Sequence, residues 1–326
     1  MPPLTKDTGE NREKRRTGNL LALLLLLYVV GRILQLYADR VPTLLIVALH
    51  VIPPAAFALL HGHLLYRLRG ILIFTALCLG SGTFFESLSL RTGFPFGHYY
   101  FTDLMGPKLF QLPFLLALAY LGMGYLSWIL ALAILGHQTE QPRGLRVILL
   151  PLIASCIMTA WDLSMDPVWA NIDHGWVWKQ GGSYFGVPIT NFLGWSLTTY
   201  VFYQSFALYL RRLPTQPLPS QLWRLPIIFY AACAIGNVLL IAQPGIPAAI
   251  TDPSGRQWLT SDILRANVLV SIFVMGGFAL IAWLRLRDPT KSSQIFDTNL
   301  PQTDINRMNL SVIPTDAPDS SRKLRS

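Results

Sequence analysis

The chain has 326 residues, 52% of them hydrophobic and only 13% charged, with 26 Lys and Arg against 17 Asp and Glu for a formal charge of +9. A soluble domain usually carries about 25% charged residues, so this balance, with a mean hydropathy of +0.43, excludes an ordinary soluble enzyme and indicates one membrane domain. The positive charge does not point to nucleic acid: no nucleic-acid module is visible, and the basic residues sit between hydrophobic runs.

Residues 1–18 are polar and charged and read as a tail without a fold of its own. The run LLALLLLLYVV that follows resembles a secretory signal, but no small-residue cleavage pattern comes after Val30, so it reads as an uncleaved first helix. A transmembrane helix needs about 20 apolar residues. Eight runs meet or approach that length: 20–36, 43–65, 71–90, 111–135, 146–163, 190–210, 223–243 and 262–284. Lipid offers no partner to backbone N–H and C=O groups, so helices are the expected form. The fold class is therefore all-α, a polytopic transmembrane bundle of seven to eight spans over residues 19–287. The segment 288–326, rich in Ser, Thr, Asp, Asn and Pro, reads as an unfolded C-terminal tail.

Basic residues gather at Arg12–Arg16, Arg67 and Arg69, Arg143 and Arg146, Arg211, Arg212 and Arg224, and Arg285 and Arg287. These mark every other connection, the pattern expected of a multi-pass protein with both termini cytoplasmic. Cys78, Cys156 and Cys233 lie singly in hydrophobic runs, which predicts buried apolar thiols rather than a disulfide framework. No internal repeat appears.

Two connections break the lipid-like composition. The first reads FFESLSLRTGFPFGHYYFTD (84–103) and the second AWDLSMDPVWANIDHGWVWKQGGSYFGVPITNFLGW (160–195). Five of nine tryptophans and three of 17 acidic residues fall between Trp161 and Trp195. A charge placed in the bilayer costs about 2.5–3.5 kcal/mol on insertion scales, so each carboxyl here is a site candidate. Counting spans places both stretches at one membrane face, opposite the basic connections, where they are expected to build one composite site.

Glu86 follows GSGTFF, whose small residues permit close helix approach; its alternative role is an ion pair with Arg91. Gly93, Pro95 and Gly97 set a tight turn beyond it. Tyr99, Tyr100 and Phe101 suit an aromatic interface belt. Asp162 and Asp166 share one face if the helix continues past Met165, close enough to share a proton or a cation. Pro167 leaves a helix-terminal role open for Asp166. A protonated carboxyl in such a pair is a natural donor to a weak base such as an alkene. Asp173 and His174 read as solvated. Asn191 opens the sixth span and either bonds a partner helix or orients a water. Gly181, Gly182 and Gly186 surround Tyr184 and Phe185 in a loop able to lie against a flat apolar ligand. His50, His61, His63 and His137 do not converge with carboxylates, and His61 with His63 reads as a surface pair rather than a metal site. No GxGxxG, P-loop, HExxH or GxSxG motif appears.

The combination of an acidic residue before TGFPFGHYYFT, then AWDLSMDPVW, then GWVWKQGGSYFGVPITNFLGW, resembles the CruF-type carotenoid-biosynthesis membrane proteins over roughly residues 20–285. Members of that family with an assigned activity are carotenoid 1′,2′-hydratases. The resemblance implies hydration of the terminal C1′–C2′ double bond of an acyclic carotenoid end. A carotenoid is then the substrate and the lipid bilayer the surroundings, with other carotenoid-pathway enzymes as further candidate partners. No cofactor is implied. It carries over no residue roles, so these follow from chemistry. Asp162, Asp166 and Glu86 are candidates for acid and water-orienting base. Trp161, Trp169, Trp176, Tyr184, Phe185, Asn191, Tyr99 and Phe96 are candidates for cation stabilisation and substrate packing. Two other readings compete. Asp162-x-x-x-Asp166 has a spacing suited to Mg²⁺ and a prenyl diphosphate, and intramembrane carboxyls also mark carotenoid- or lipid-binding proteins and proton-coupled transporters.

Overall fold

The computed structural model describes residues 9–109, 111–136, 141–213 and 216–287. His137 and the segments 1–8 and 288–326 lie outside the described residues. The helices are α1 (Gly9–Leu34), α2 (Thr43–Thr92), α3 (Phe114–Leu135), α4 (Arg146–Asn171), α5 (Ile189–Leu210), α6 (Ser220–Leu239), α7 (Thr260–Leu269) and α8 (Gly276–Arg287). Short strands occupy the connections: β1 (Tyr99–Phe101), β2 (Lys108–Leu109), β3 (Leu112–Pro113), β4 (Trp176–Trp178), β5 (Ala249–Thr251) and β6 (Gln257–Leu259).

Among the described residues, six helical segments are long and apolar enough to cross a membrane: Arg16–Tyr37, Thr43–Thr92, Phe114–Leu135, Arg146–Asn171, Ser220–Ala242 and Thr260–Arg287. The protein is a multi-pass membrane protein of helical-bundle class. The span expected at 190–210 is helical as α5; it carries no charged side chain, and it lies along α4 and α2. One helix begins earlier than the sequence suggests. α1 starts at Gly9, so residues 9–18, expected to be unfolded, extend the first span as helical backbone.

The 50 residues of α2 would reach about 75 Å as one rod. They do not form one rod. Arg67 adopts φ 58° and ψ 173°, and the chain turns back on itself there. A Cβ on Gly62 would fall 2.3 Å from Ile71 Cδ1, a pair about 13 Å apart in a continuous helix. The halves 43–66 and 68–92 are thus the second and third spans, joined in a hairpin. The backbone N–H of Gln216 donates to Leu65 C=O at 2.9 Å, so this hairpin turn and the α5–α6 connection share one end of the bundle.

α3 is apolar all round and forms the centre: every residue from Ala119 to Ala133 is buried. Against it, Gly122 lies where a Cβ would come 2.7–2.9 Å from Pro54 and Ala55, which lets α3 and the second span touch backbone to backbone. The outer face carries exposed Leu193, Ile235, Phe84 and Phe273, a surface suited to lipid rather than water. Cys78 and Cys233 are buried as expected, but Cys156 is exposed on α4. His61 is not half of a surface pair: it is fully buried, with Nδ1 bonded to the Tyr125 hydroxyl at 2.7 Å and Nε2 to Leu222 C=O at 3.0 Å.

The two acidic, aromatic connections meet. β1 pairs antiparallel with β4 in the register Tyr99↔Trp178, Tyr100↔Val177 and Phe101↔Trp176. Strand alternation sends Tyr99, Phe101, Trp176 and Trp178 inward and leaves Tyr100 exposed. The third ribbon, β5–β6, lies beside them, with Asp252 and Ser254 against Gly181.

Candidate functional site

The inward face of the β1–β4 ribbon closes over three buried carboxyls. Glu86 comes from the third span, and Asp162 and Asp166 from α4; all are at most 3% exposed. α4 continues through Pro167 to Asn171, so the two aspartates lie one turn apart on one face, and the terminal role left open for Asp166 does not apply.

Each carboxyl is held by named donors. Trp176 Nε1 donates to Asp166 Oδ1 at 2.7 Å, and Trp178 Nε1 to the same oxygen at 3.3 Å. The pair of indoles two residues apart on one strand face makes this possible. Asn191 Nδ2, in the first turn of α5, donates at 2.5 Å to Asp166 Oδ2 and at 2.9 Å to Asp162 Oδ2. Glu86 accepts from the hydroxyls of Tyr99 and Tyr120. It has no part in an ion pair with Arg91, which is exposed in the last turn of α2. Among the described residues, Asp166 accepts from three N–H donors whereas Asp162 accepts only from Asn191.

Local features of the sequence bring these groups in. Gly82, one turn before Glu86, leaves the Tyr120 ring room, since a Cβ there would sit 3.3 Å from Cδ2. Gly93 caps α2 in the left-handed region at φ 81°, and the turn beyond is pinned at both sides. Ser89 Oγ donates to Gly97 C=O at 3.0 Å, and Thr190 Oγ1 donates to Phe96 C=O at 3.0 Å. Phe96 then packs on Trp195 at 5.2 Å between ring centres, and Trp195 meets Tyr120 at 4.6 Å.

The carboxyls, Phe96, Tyr99 and Asn191 line a cavity of about 20 Å³, room for about one water. No Lys, Arg or His lines it. Beside it lies a larger chamber of about 290 Å³, and the two share Leu116, Met165 and Trp176 as walls. α4 serves both: Asp162 and Asp166 face the small cavity, whereas Trp161, Met165 and Trp169 border the chamber.

Residues 19–252 match the protein family described as carotenoid biosynthesis protein. The chain belongs to the carotenoid biosynthesis protein family. Every residue lining the small cavity falls within the matched segment. The chain matches no curated protein and no solved structure.

Most of the anticipated residues converge in this carotenoid biosynthesis protein, but two do not. Tyr184 and Phe185 line neither cavity. Pro167 cannot donate to Leu163 C=O, the acceptor a helix would supply four residues back, and the Tyr184 hydroxyl donates to that carbonyl at 3.3 Å instead. Phe185 packs on Trp258 of β6 at 5.5 Å. The glycine loop around them faces protein: Gly182 abuts the Val187 carbonyl, and Gly181 and Gly186 abut Asp252. Tyr184→Phe is therefore expected to lower stability by about 1 kcal/mol, as thermal unfolding will show.

Sequence reasoning missed Tyr120, Trp178 and Trp195. Trp178 was legible, because WVW in an extended segment puts both indoles on one face. Tyr120 had no signal; it is one of two tyrosines in a largely apolar span.

Proposed function

We propose that the protein hydrates the terminal C1′–C2′ double bond of an acyclic carotenoid end. The observation that carries this reading is a water-sized cavity ringed by three carboxyls that shares Leu116, Met165 and Trp176 as walls with an aromatic-walled chamber. A cavity of about 20 Å³ holds a water but no isoprenoid end, so the chain lies in the chamber with its terminal alkene at the shared wall of Leu116, Met165 and Trp176, and the water lies among the acids.

The chemistry then assigns roles. Burial without a cation favours neutral carboxyls, while hydrogen bonds from several N–H donors favour an ionised one. Asp166, with three such donors, is the carboxylate; Asp162, with one, carries the proton. Asp162 protonates the less substituted carbon C2′, leaving a tertiary cation at C1′. The indole face of Trp176, which borders both spaces, stabilises that cation. Water adds to C1′ and releases its proton to Asp166, and transfer between the adjacent carboxyls restores the starting state. Glu86, fixed by two phenols, orients the water. The chamber tryptophans Trp161 and Trp169 pack the chain. We place the basic end of the bundle, and with it both termini, on the cytoplasmic side by the distribution of Arg.

The Mg²⁺–diphosphate reading is not favoured, since the facing oxygens of Asp162 and Asp166 are occupied by one amide N–H₂ and no Lys or Arg borders them. Expression in a lycopene-producing host tests the proposal. A new pigment heavier by one water with an unchanged absorption spectrum is expected, and EDTA leaves its formation intact. A red-shifted product with less hydrogen, or no new pigment despite membrane insertion, overturns it.

A further inference from the structure

The chamber beside the acid cavity holds two opposite charges that do not meet. Arg32, near the end of α1, is 8% exposed and lines it. Its guanidinium donates to Asn237 Oδ1, while Nε has no hydrogen-bond partner and no carboxylate among the described residues lies within ion-pair distance. Glycine at 236 leaves room for it: a Cβ there would fall 1.9 Å from Arg32 Nε and displace the side chain from this position. Asp173, just beyond α4, lines the same chamber and makes no side-chain hydrogen bond among the described residues. Burial pushes its carboxyl up to about 6, with the positive charge of Arg32 pulling the other way, so it is largely ionised at neutral pH. A third polar group, His50 Nε2, is buried there without a partner.

A purely hydrocarbon ligand leaves these groups unanswered. An anion satisfies Arg32 but opposes Asp173. A hydroxyl serves both, because its oxygen accepts and its hydrogen is donated. We infer that this chamber binds an isoprenoid chain bearing a hydroxyl group, with Arg32 donating to the oxygen and Asp173 accepting its hydrogen. The inference deepens the functional reading and rests on its assignment of the chamber to an isoprenoid. The hydroxyl has two sources: an oxygen already present on the substrate, or the tertiary alcohol that hydration creates.

The test uses the full chain in lipid nanodiscs and reads quenching of tryptophan emission by bound polyene. Three probes share one polyene and have saturated C1–C2 ends, so none can be hydrated and the binding result stands whether or not the pigment assay succeeds. One ends in hydrocarbon, one in a tertiary alcohol at C1, and one in a secondary alcohol at C4. At least one alcohol is expected to bind about tenfold tighter than the hydrocarbon, and Asp173→Ala and Arg32→Met each remove that advantage. Preference for the C1 alcohol assigns the seat to product, and preference for the C4 alcohol assigns it to an oxygenated substrate. Equal binding of all three probes, or an advantage that survives Asp173→Ala, overturns the inference. Should Arg32→Met fail to insert, Asp173→Ala decides alone.

Discussion

Asp162→Asn and Asp166→Asn are each expected to lower the proposed carotenoid hydration by about 10²–10⁴-fold, the usual contribution of a positioned acid or base. Their effects on stability differ. Asp162 accepts one hydrogen bond, from Asn191, and an amide oxygen can replace that acceptor. Asp166 accepts from Trp176, Trp178 and Asn191. An amide there turns one acceptor into a donor that faces other donors, and a buried group left unsatisfied costs about 1–3 kcal/mol. Asp162→Asn therefore unfolds at a temperature close to wild type, and Asp166→Asn several degrees lower. Glu86→Gln is expected to reduce turnover less than either aspartate change, since the proposed role of Glu86 is to position water rather than to move the proton. Wild-type turnover in both aspartate variants would remove the proton relay from this site.

The second large effect comes from a residue that touches no carboxyl. A Cβ on Gly182 would lie 2.0 Å from the Val187 carbonyl carbon and 2.2 Å from Pro188 N. No side-chain rotation relieves a collision with backbone, so Gly182→Ala must shift the start of α5. Asn191 stands three residues past Pro188, in the turn that donates to both aspartates. The variant is expected to lose about 1–3 kcal/mol or more of stability and most of the proposed hydration activity, read by thermal unfolding in nanodiscs and by pigment mass. Retention of both would show that the loop has another conformation available.

How far the sequence reached can be judged from particular residues. The helices were legible because lipid allows apolar runs almost no other form. The hairpin inside α2 was legible as well: Arg67 and Arg69 interrupt two apolar runs, and the structure turns at Arg67. The joining of the two acidic connections followed from counting spans, although their pairing as β1 and β4 did not, because three-residue strands carry too little alternation to stand out. The glycine loop misled. Gly181, Gly182 and Gly186 suggested a ligand surface, whereas they admit the neighbouring ribbon and the α5 entry. Asp252, the packing partner of Gly181 and Gly186, lies about 70 residues away in sequence, and no local pattern announces such a contact. Tyr120 was unreadable for the same reason. Its hydroxyl has meaning only once Gly82 and Glu86 stand opposite it.

The order in which the hydrogen-bond donors occur along the chain bears on biogenesis. Glu86 is bonded by Tyr99 and Tyr120, Asp162 by Asn191, and Asp166 by Trp176, Trp178 and Asn191. Every donor lies C-terminal to the acid it serves. A ribosome delivers the N-terminal part first, so each carboxyl reaches the insertion machinery before any group that compensates its removal from water. A nascent chain arrested between Asp166 and Trp176 already has Tyr99 and Tyr120 for Glu86 but holds both aspartates without Trp176, Trp178 or Asn191 to receive them, and it is the stage at which membrane quality control has the most to recognise.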